Sequence, residues 1–279
     1  MNGPDKYAVF GNPIKQSKSP LIHKAFAEQF DHDIQYRAVR VEAGRFATAA
    51  TRFFEAGGCG LNITAPFKHD AFDFADQCSP RAERAGAVNT LSRAADGNIH
   101  GDTTDGVGLV RDMVANHGWT VQGARVLIIG AGGAVRGVLE PLILERPKEV
   151  VIVNRTPARA EALAGEFSDM PGSLIGGGYE LWDNRQFDLV INASSAGLAG
   201  GMADIPPALL TERSCCYDMI YGPEPTVFMR WAAQQAAWAV ADGLGMLVEQ
   251  AAESFYRWRQ VRPETGPVIQ HLRELMDGS

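Results

Sequence analysis

Short apolar runs alternate with amphipathic stretches along the first sixty residues. The apolar runs lie at residues 7–10, 34–39 and 61–63, and stretches with helical spacing lie between them at residues 20–30 and 44–55. Short apolar runs bounded by such stretches are typical of buried strands joined by helices. This order predicts a βαβαβ arrangement and therefore a parallel sheet.

A hairpin interrupts this alternation. Strands predicted at residues 87–91 and 99–102 flank the pair Asp96 and Gly97. Such a pair favours a tight turn, because glycine tolerates a positive φ. A helix predicted at residues 105–117 follows, and we place the domain boundary near its start.

A second alternating series begins after this helix. The predicted strands occupy residues 125–129, 149–153, 188–191 and 214–218, and the helical stretch after the first of them covers residues 135–145. We therefore expect an α/β protein with two α/β domains, of which the second is of the Rossmann type. The predicted division is 1–104, 105–241 and 242–279, the last a helical part that could return to the first domain.

Composition and charge disfavour several classes of protein. The chain has 279 residues, 46% of them hydrophobic, and a formal net charge of -7 without any run of Lys or Arg, which disfavours a nucleic-acid partner. Residues 1–5 are polar and no apolar run approaches membrane-spanning length, so we expect a soluble cytoplasmic protein. The four cysteines and six histidines lack ligand spacing, so we expect neither a metal site nor disulfides.

A glycine-rich turn follows the strand predicted at residues 125–129. Gly130 permits a sharp turn, Gly132 lets the backbone approach a pyrophosphate, and the free N–H groups of the next helix can bind it. The third fingerprint position is Val135, where glycine or alanine is usual, so a tight turn without a ligand remains the alternative. The candidate cofactor residues here are Gly130, Ala131, Gly132, Gly133 and Ala134.

The next strand ends in residues that favour NADP. An NAD site carries an acidic residue there for the ribose 2′-hydroxyl, whereas this chain has Asn154, Arg155 and Thr156, followed by Arg159. Two guanidinium groups suit a 2′-phosphate, and each charge-assisted contact contributes about 1.5–3 kcal/mol. We predict NADP in preference to NAD; two ordinary surface arginines are the alternative.

Two serines precede the first predicted helix. Ser19 before Pro20 is typical of an N-cap with proline at the first helical position. This does not explain Ser17, and a helix start with two hydroxyls and free N–H groups also suits a carboxylate. Both interpretations of the pair remain open.

Polar residues also follow the strand predicted at residues 61–63. Asn62 and Thr64 lie at its carboxyl end, where ligands of open α/β sheets bind. Lys68 falls in a first helical turn, where the helix dipole disfavours a cation by roughly 0.3–1 kcal/mol. It is a candidate general acid or base, with a solvated lysine as the alternative.

For three further polar residues, the surrounding segment does not distinguish a structural role from a functional one. Asp105 begins a predicted helix, where a capping role is common. Asn89 lies in an apolar strand and could satisfy the backbone, and Gln250 could be exposed on its helix.

Taken together, these segments resemble the shikimate dehydrogenase family from end to end. The motifs begin with Ser17 and Ser19, and include Asn62 to Lys68, Gly86 to Thr90, Thr104 to Gly106 and the cofactor residues described above. The remaining ones are Tyr217 to Tyr221 and Asp242 to Gln250. The resemblance implies reversible reduction of 3-dehydroshikimate to shikimate by NADPH, in the pathway to aromatic amino acids.

The resemblance also implies that the two domains flank a cleft, that the C-terminal helices return to the substrate domain, and that each site residue has a defined role. It makes Lys68 and Asp105 the catalytic pair, with Lys68 as the proton donor. It places Ser17 and Ser19 on the substrate carboxylate and puts Met219, Gly243 and Met246 with the cofactor. The residues implied around the ring hydroxyls are Asn62, Thr64, Asn89, Asp105, Tyr221 and Gln250.

Two departures from the family pattern are small. Thr103 and Ser194 replace the usual Asn and Thr, and both retain hydrogen-bonding capacity. An enzyme that also accepts quinate, often with NAD, is one alternative, and a noncatalytic NADP-binding regulatory protein is the other. Arg155 and Arg159 argue against the NAD preference, and Lys68 with Asp105 argues against a noncatalytic protein. Monomer and homodimer both remain open.

Overall fold

The computed structural model describes residues 3–194, 196 and 201–278. It divides into two compact units: the first unit comprises residues 1–108 with 248–268, and the second comprises residues 109–247 with 269–279. The α/β class and the Rossmann-type architecture of the second unit are confirmed. Within the described residues, no helix is both long enough and apolar enough to cross a membrane.

The first unit contains a six-stranded mixed sheet. Its order is β2-β1-β3-β5-β6-β4, with β1, β2 and β3 mutually parallel as the βαβαβ pattern predicts. The elements are β1 (Asp5–Gly11), α1 (Ser19–Glu28), β2 (Ile34–Arg40), α2 (Phe46–Glu55), β3 (Gly58–Ile63), α3 (Lys68–Phe74), β4 (Gln77–Cys78), α4 (Pro80–Ala85), β5 (Thr90–Arg93) and β6 (Ile99–Asp102).

The predicted hairpin is present, with one shifted boundary. Strands β5 and β6 are antiparallel, and Gly97 between them has φ of 92°. The first strand starts at Thr90 instead of residue 87, because the apolar run before it reflects burial and not a strand ladder: Val88 is fully buried, and its N–H donates to the carbonyl of Lys68.

The second unit contains a six-stranded parallel sheet. The elements are β7 (Arg125–Ile129), α6 (Gly133–Leu144), β8 (Glu149–Val153), α7 (Pro157–Glu166), β9 (Ser173–Gly177), β10 (Phe187–Asn192), β11 (Leu210–Asp218), α8 (Val227–Gln234) and β12 (Ala239–Asp242). The order β12-β11-β10-β7-β8-β9 is that of the Rossmann fold. The order reverses between β7 and β10, so the loop after β7 lies at the position where such sheets bind dinucleotides.

Three helices contain the positions at which the chain passes from one unit to the other. They are α5 (Asp105–Arg111), which continues into a π-helical turn (Asp112–Asn116), α9 (Leu244–Arg259) and α10 (Gly266–Asp277). The helix predicted at residues 105–117 is therefore present with a different winding at its end. Residues 248–268 of the C-terminal part belong to the first unit and residues 269–279 to the second.

Candidate active site

Two helix starts in the first unit bring Lys68 and Asp105 together. Lys68 is the first residue of α3 and Asp105 the first of α5. Lys68 Nζ donates to Asp105 Oδ2 over 2.5 Å, and the two side chains are 33% and 16% exposed. The pair is thus a charge-assisted hydrogen bond that a small molecule can still reach, which suits proton transfer.

Asn89 holds the other oxygen of the carboxylate. Its Nδ2 donates to Asp105 Oδ1 and to Thr104 Oγ1, each over 2.9 Å. Its Oδ1 accepts the backbone N–H of Thr104 over 2.9 Å. Because Asn89 is only 3% exposed and bonded at both ends of its amide, Asp105 has a defined orientation towards Lys68.

Asn62 and Gln250 belong to the same polar cluster. Gln250, on α9, accepts from Asn89 Nδ2 over 3.3 Å. Asn62, on β3, accepts the hydroxyl proton of Tyr36 over 2.7 Å and donates to Ser254 over 3.0 Å. The cluster therefore joins four of the predicted substrate and catalytic residues to the lysine.

Tyr36 remains protonated in this cluster. Burial raises the pKa of its hydroxyl well above the ordinary value, while a hydrogen bond with the Ser19 side chain acts in the opposite direction. The phenol is therefore available as a donor to Asn62. It also connects Ser19 to the cluster that contains Lys68.

The start of α1 differs from its prediction. Ser19 is the first helical residue, and the N-cap position is Lys18, whose side chain makes no capping bond. The prediction of Ser19 as the N-cap is wrong, because the backbone of Lys18 is already helical and Ser19 therefore lies inside the helix. Ser17 provides a local acceptor instead: its Oγ accepts the N–H of Ser19 over 3.3 Å.

Thr64 follows the carboxyl end of β3, as predicted. A Cβ added to Gly11 would collide with the Thr64 methyl group, so any larger residue at position 11 would have to displace the Thr64 side chain. Thr64 is half-buried, and its backbone N–H donates to Phe10. Its hydroxyl makes no hydrogen bond among the described residues that ties it to the polar cluster.

The glycine turn of the second unit has the geometry of a pyrophosphate site. Gly130 follows β7 with φ of 119°, and a Cβ there would lie 3.1 Å from the backbone of Ala193. Helix α6 begins at Gly133 without a side-chain cap, and nothing lies within 4 Å of a Cβ built on Gly132 or Gly133. The backbone is therefore open to a ligand, and the unusual Val135 is fully buried in the core.

The end of β8 presents free cations. Arg155 is exposed, and Arg159 is exposed in the first turn of α7. Neither forms a salt bridge within the part of the chain that the structure describes. Asn154 Nδ2 donates to the carbonyl of Thr156 over 3.0 Å, which shapes the loop between them. These residues fit NADP.

The other predicted cofactor residues also lie in the second unit. A Cβ on Gly243 would collide with the carbonyl of Met219, so only glycine allows this approach. Met246 is half-buried against the core of the unit. Tyr221 lies in this unit too, and burial raises the pKa of its hydroxyl. Ser194, the departure from the family pattern, donates to Asn192 Oδ1 over 2.8 Å and so uses its hydroxyl.

Sequence reasoning missed Tyr36 and Ser254. Ser254 lies four residues after Gln250 on α9, so helical spacing could have placed it on the same face. Tyr36 gives no such signal, because it lies within an ordinary strand pattern. No group of His, Cys, Asp and Glu within the described residues could hold a metal ion.

Three family models match the chain. The shikimate dehydrogenase substrate binding domain matches residues 9–91, and shikimate / quinate 5-dehydrogenase matches residues 112–196. The shikimate 5'-dehydrogenase C-terminal domain matches residues 243–273.

Curated relatives match over nearly their full length. The shikimate dehydrogenase (NADP(+)) of Cellvibrio japonicus is 56% identical and covers 96% of this chain and 97% of its own. The enzyme of the same name from Alkalilimnicola ehrlichii is 57% identical over 96% of this chain and 98% of its own.

Solved structures also match over nearly the whole chain. The Ael1 enzyme from Pseudomonas putida is 43% identical, with a TM-score of 0.90 over 96% of this chain and 98% of its own. Shikimate 5-dehydrogenase from Thermus thermophilus, solved with NADP(H) and shikimate, is 31% identical, with a TM-score of 0.85 over 97% and 99%. From this agreement of sequence and fold, the chain belongs to the shikimate dehydrogenase family.

Proposed function

We propose that this chain catalyses the reversible, NADP-dependent interconversion of shikimate and 3-dehydroshikimate. The observation that carries the proposal is the 2.5 Å hydrogen bond between Lys68 and Asp105, fixed by Asn89 in a partly exposed polar cluster. Reduction of a ketone to an alcohol needs one proton donor beside the oxygen that gains negative charge. Lys68 supplies that proton, and Asp105 orients the ammonium group.

NADPH, when bound, supplies the hydride. The residues that would hold its pyrophosphate are Gly130 to Ala134, and Arg155 and Arg159 would hold its 2′-phosphate. By resemblance to the family, Asn154, Thr156, Met219, Gly243 and Met246 complete the site. In the oxidation direction Lys68 accepts the proton that leaves the substrate hydroxyl.

The substrate is held by polar groups of complementary chemistry. Ser17 and Ser19 suit its carboxylate, because hydroxyls and backbone N–H groups meet at the start of α1. The ring hydroxyls are assigned to Asn62, Thr64, Asn89, Asp105, Tyr221 and Gln250. Residues 1–104 would form the substrate domain and residues 105–241 the NADP domain, with 242–279 returning to the first.

We also propose that the enzyme acts in the cytoplasm. All four of its cysteines are unpaired, and burial raises the pKa of Cys216 to about 12. Free thiols are typical of a reducing compartment, and a buried thiol with a raised pKa contains little reactive thiolate.

The test is a direct assay. Purified protein with shikimate and NADP should produce NADPH, and Lys68→Ala should lower kcat by about 10²–10⁴ with little change in shikimate binding by calorimetry. Lys24→Ala is the matched control, since Lys24 is 75% exposed and pairs only loosely with Glu28 at 3.8 Å.

Parallel assays with quinate and with NAD distinguish the alternatives. Equal efficiency with quinate would replace the proposal by a broader specificity. Absence of NADPH formation with every pair of substrate and cofactor would favour a noncatalytic protein.

A further inference from the structure

Ser254 is a fully buried serine at the centre of the polar cluster in the first unit. It lies on α9, one helical turn after Gln250. Its Oγ lies 3.0 Å from Asn62 Nδ2, 2.7 Å from Thr90 Oγ1 and 3.3 Å from Thr104 Oγ1. A single hydroxyl thus contacts groups from β3, β5 and the loop before α5.

These contacts form an unbroken chain of hydrogen bonds to the catalytic pair. Asn62 donates to Ser254, Ser254 can donate to Thr90, and Thr90 donates to Asn89 Oδ1 over 2.9 Å. Asn89 in turn donates to Asp105. Two hydroxyls thus link the amides of Asn62 and Asn89, while the backbone N–H of Thr104 fixes which end of the Asn89 amide accepts.

A second arrangement of the Ser254 proton preserves the link to Asn62. Ser254 lies 3.0 Å from the carbonyl of Gln250, the i−4 position that helical serines often use. With its proton there, Ser254 still accepts from Asn62, and the single Thr90 proton goes either to Ser254 or to Asn89 Oδ1. Ser254 is also the nearest acceptor of Asn62 Nδ2, since the carbonyl of Asn89 and the hydroxyl of Thr90 both lie at 3.3 Å.

We propose that Ser254 is a positioning residue that sets the affinity for shikimate by fixing the amide of Asn62. The inference rests on the proposed function, in which this amide contacts the ring hydroxyls. Without the Ser254 hydroxyl, Asn62 Nδ2 loses its nearest acceptor and keeps only the two longer contacts of 3.3 Å, so rotation of the amide costs less. A rotated amide presents a donor where the substrate needs an acceptor, which weakens binding.

The experiment is a comparison of Ser254→Ala with Ser214→Ala. Ser254→Ala should raise the KM for shikimate about tenfold, which is the loss of one hydrogen bond to a buried group. The KM for NADP should not change. Ser214 is the matched control: it is equally buried and its hydroxyl bonds Phe187 and Thr211, but it lies in the second unit.

Ser214→Ala should lower the Tm and leave the KM for shikimate unchanged. Ser254→Thr, which retains the hydroxyl, should restore most of the affinity. In a double-mutant cycle, the effects of Ser254→Ala and Asn62→Ala on the KM should be strongly non-additive.

If Ser254→Ala does not fold, Thr90→Val removes the next hydroxyl of the hydrogen-bond chain without altering α9 and should raise the same KM.

The inference is overturned if Ser254→Ala, or Thr90→Val in its place, lowers only the Tm, or if the two effects in the cycle are additive. Failure of the proposed function is a separate outcome, because the unsubstituted protein would then form no NADPH from shikimate.

Discussion

His23 is a histidine buried completely among aromatic rings. It stacks on Tyr36 with ring centroids 4.3 Å apart and an interplanar angle of 9°, and Phe26, Phe255 and Trp258 surround it. Burial lowers the pKa of His23 to about 3. The ring is therefore neutral at physiological pH and contributes to packing.

This burial predicts a pH-dependent loss of stability. An unfolded histidine titrates near pH 6.5, so below about pH 6.5 the unfolded chain binds a proton that the folded chain excludes. Above that pH, the burial of neutral His23 contributes fully to the free energy of unfolding. Below it, the free energy of unfolding falls by about 1.4 kcal/mol per pH unit as the pH falls towards 3.

Urea unfolding of the protein and of His23→Phe at a series of pH values measures this effect. The difference in free energy of unfolding should be constant above about pH 7 and should shift in favour of the variant below about pH 6. Parallel curves throughout would contradict the assigned burial of a neutral imidazole.

At the scale of single residues, Lys68 was a candidate from its own segment, whereas Asp105 became one only through the resemblance. The structure brings the two side chains together. Ser254 and Tyr36 were not candidates, because their hydrogen bonds join segments far apart in the chain. Hydrogen bonds that join β2, β3 and α9 have no periodic signature.

At the scale of elements, the close packing of α7 on β9 depends on Gly176. A Cβ at this position would overlap the carbonyl and the backbone of Ala160, and backbone cannot move aside as a flexible side chain can. The helix that carries Arg159 therefore lies directly against the strand.

Gly176→Ala should destabilise the protein by about 1–3 kcal/mol, the usual cost of overpacking. Gly165→Ala in the same helix is the matched control, because nothing lies within 4 Å of its added Cβ. It should be neutral or stabilise by up to about 1 kcal/mol. Urea unfolding midpoints at constant m would measure both, and equal midpoints would show that the packing is looser than described.

Strands β9 and β4 were not predicted from the hydrophobic pattern. Strand β9 contains two glycines in five residues, and β4 has only two residues. Neither presents an apolar run, so pairing with a neighbouring strand alone defines them. The buried strands β7 and β8 were predicted with their observed bounds, because every position except the first is buried.

At the scale of the whole molecule, the strand order of the second unit determines where a dinucleotide binds. The order reverses beside β7, and the turn at Gly130 follows that strand. Composition and periodicity predicted an α/β chain with a Rossmann-type part, but strand order depends on pairings that no local pattern encodes.

Substitutions of the predicted 2′-phosphate residues should change the cofactor preference without changing the affinity for shikimate. The predicted 2′-phosphate residues Arg155 and Arg159 lie in the second unit, whereas Ser17, Asn62 and Asn89 lie in the first. Arg155→Asp combined with Arg159→Ala removes two charge-assisted contacts, each of which contributes about ten- to a hundredfold in affinity. The ratio of kcat/KM for NADP to that for NAD should therefore fall by at least about tenfold, while the KM for shikimate stays the same.

Steady-state kinetics with each cofactor at saturating shikimate, and with shikimate varied at saturating cofactor, measure both quantities. Arg213→Ala is the control, because Arg213 is also exposed in the second unit but lies on β11, away from the loop after β8. It should leave the cofactor ratio unchanged. An unaltered ratio in the double variant would show that Arg155 and Arg159 do not bind the 2′-phosphate. Loss of both cations must weaken the binding of a dianionic phosphate more than the binding of a hydroxyl.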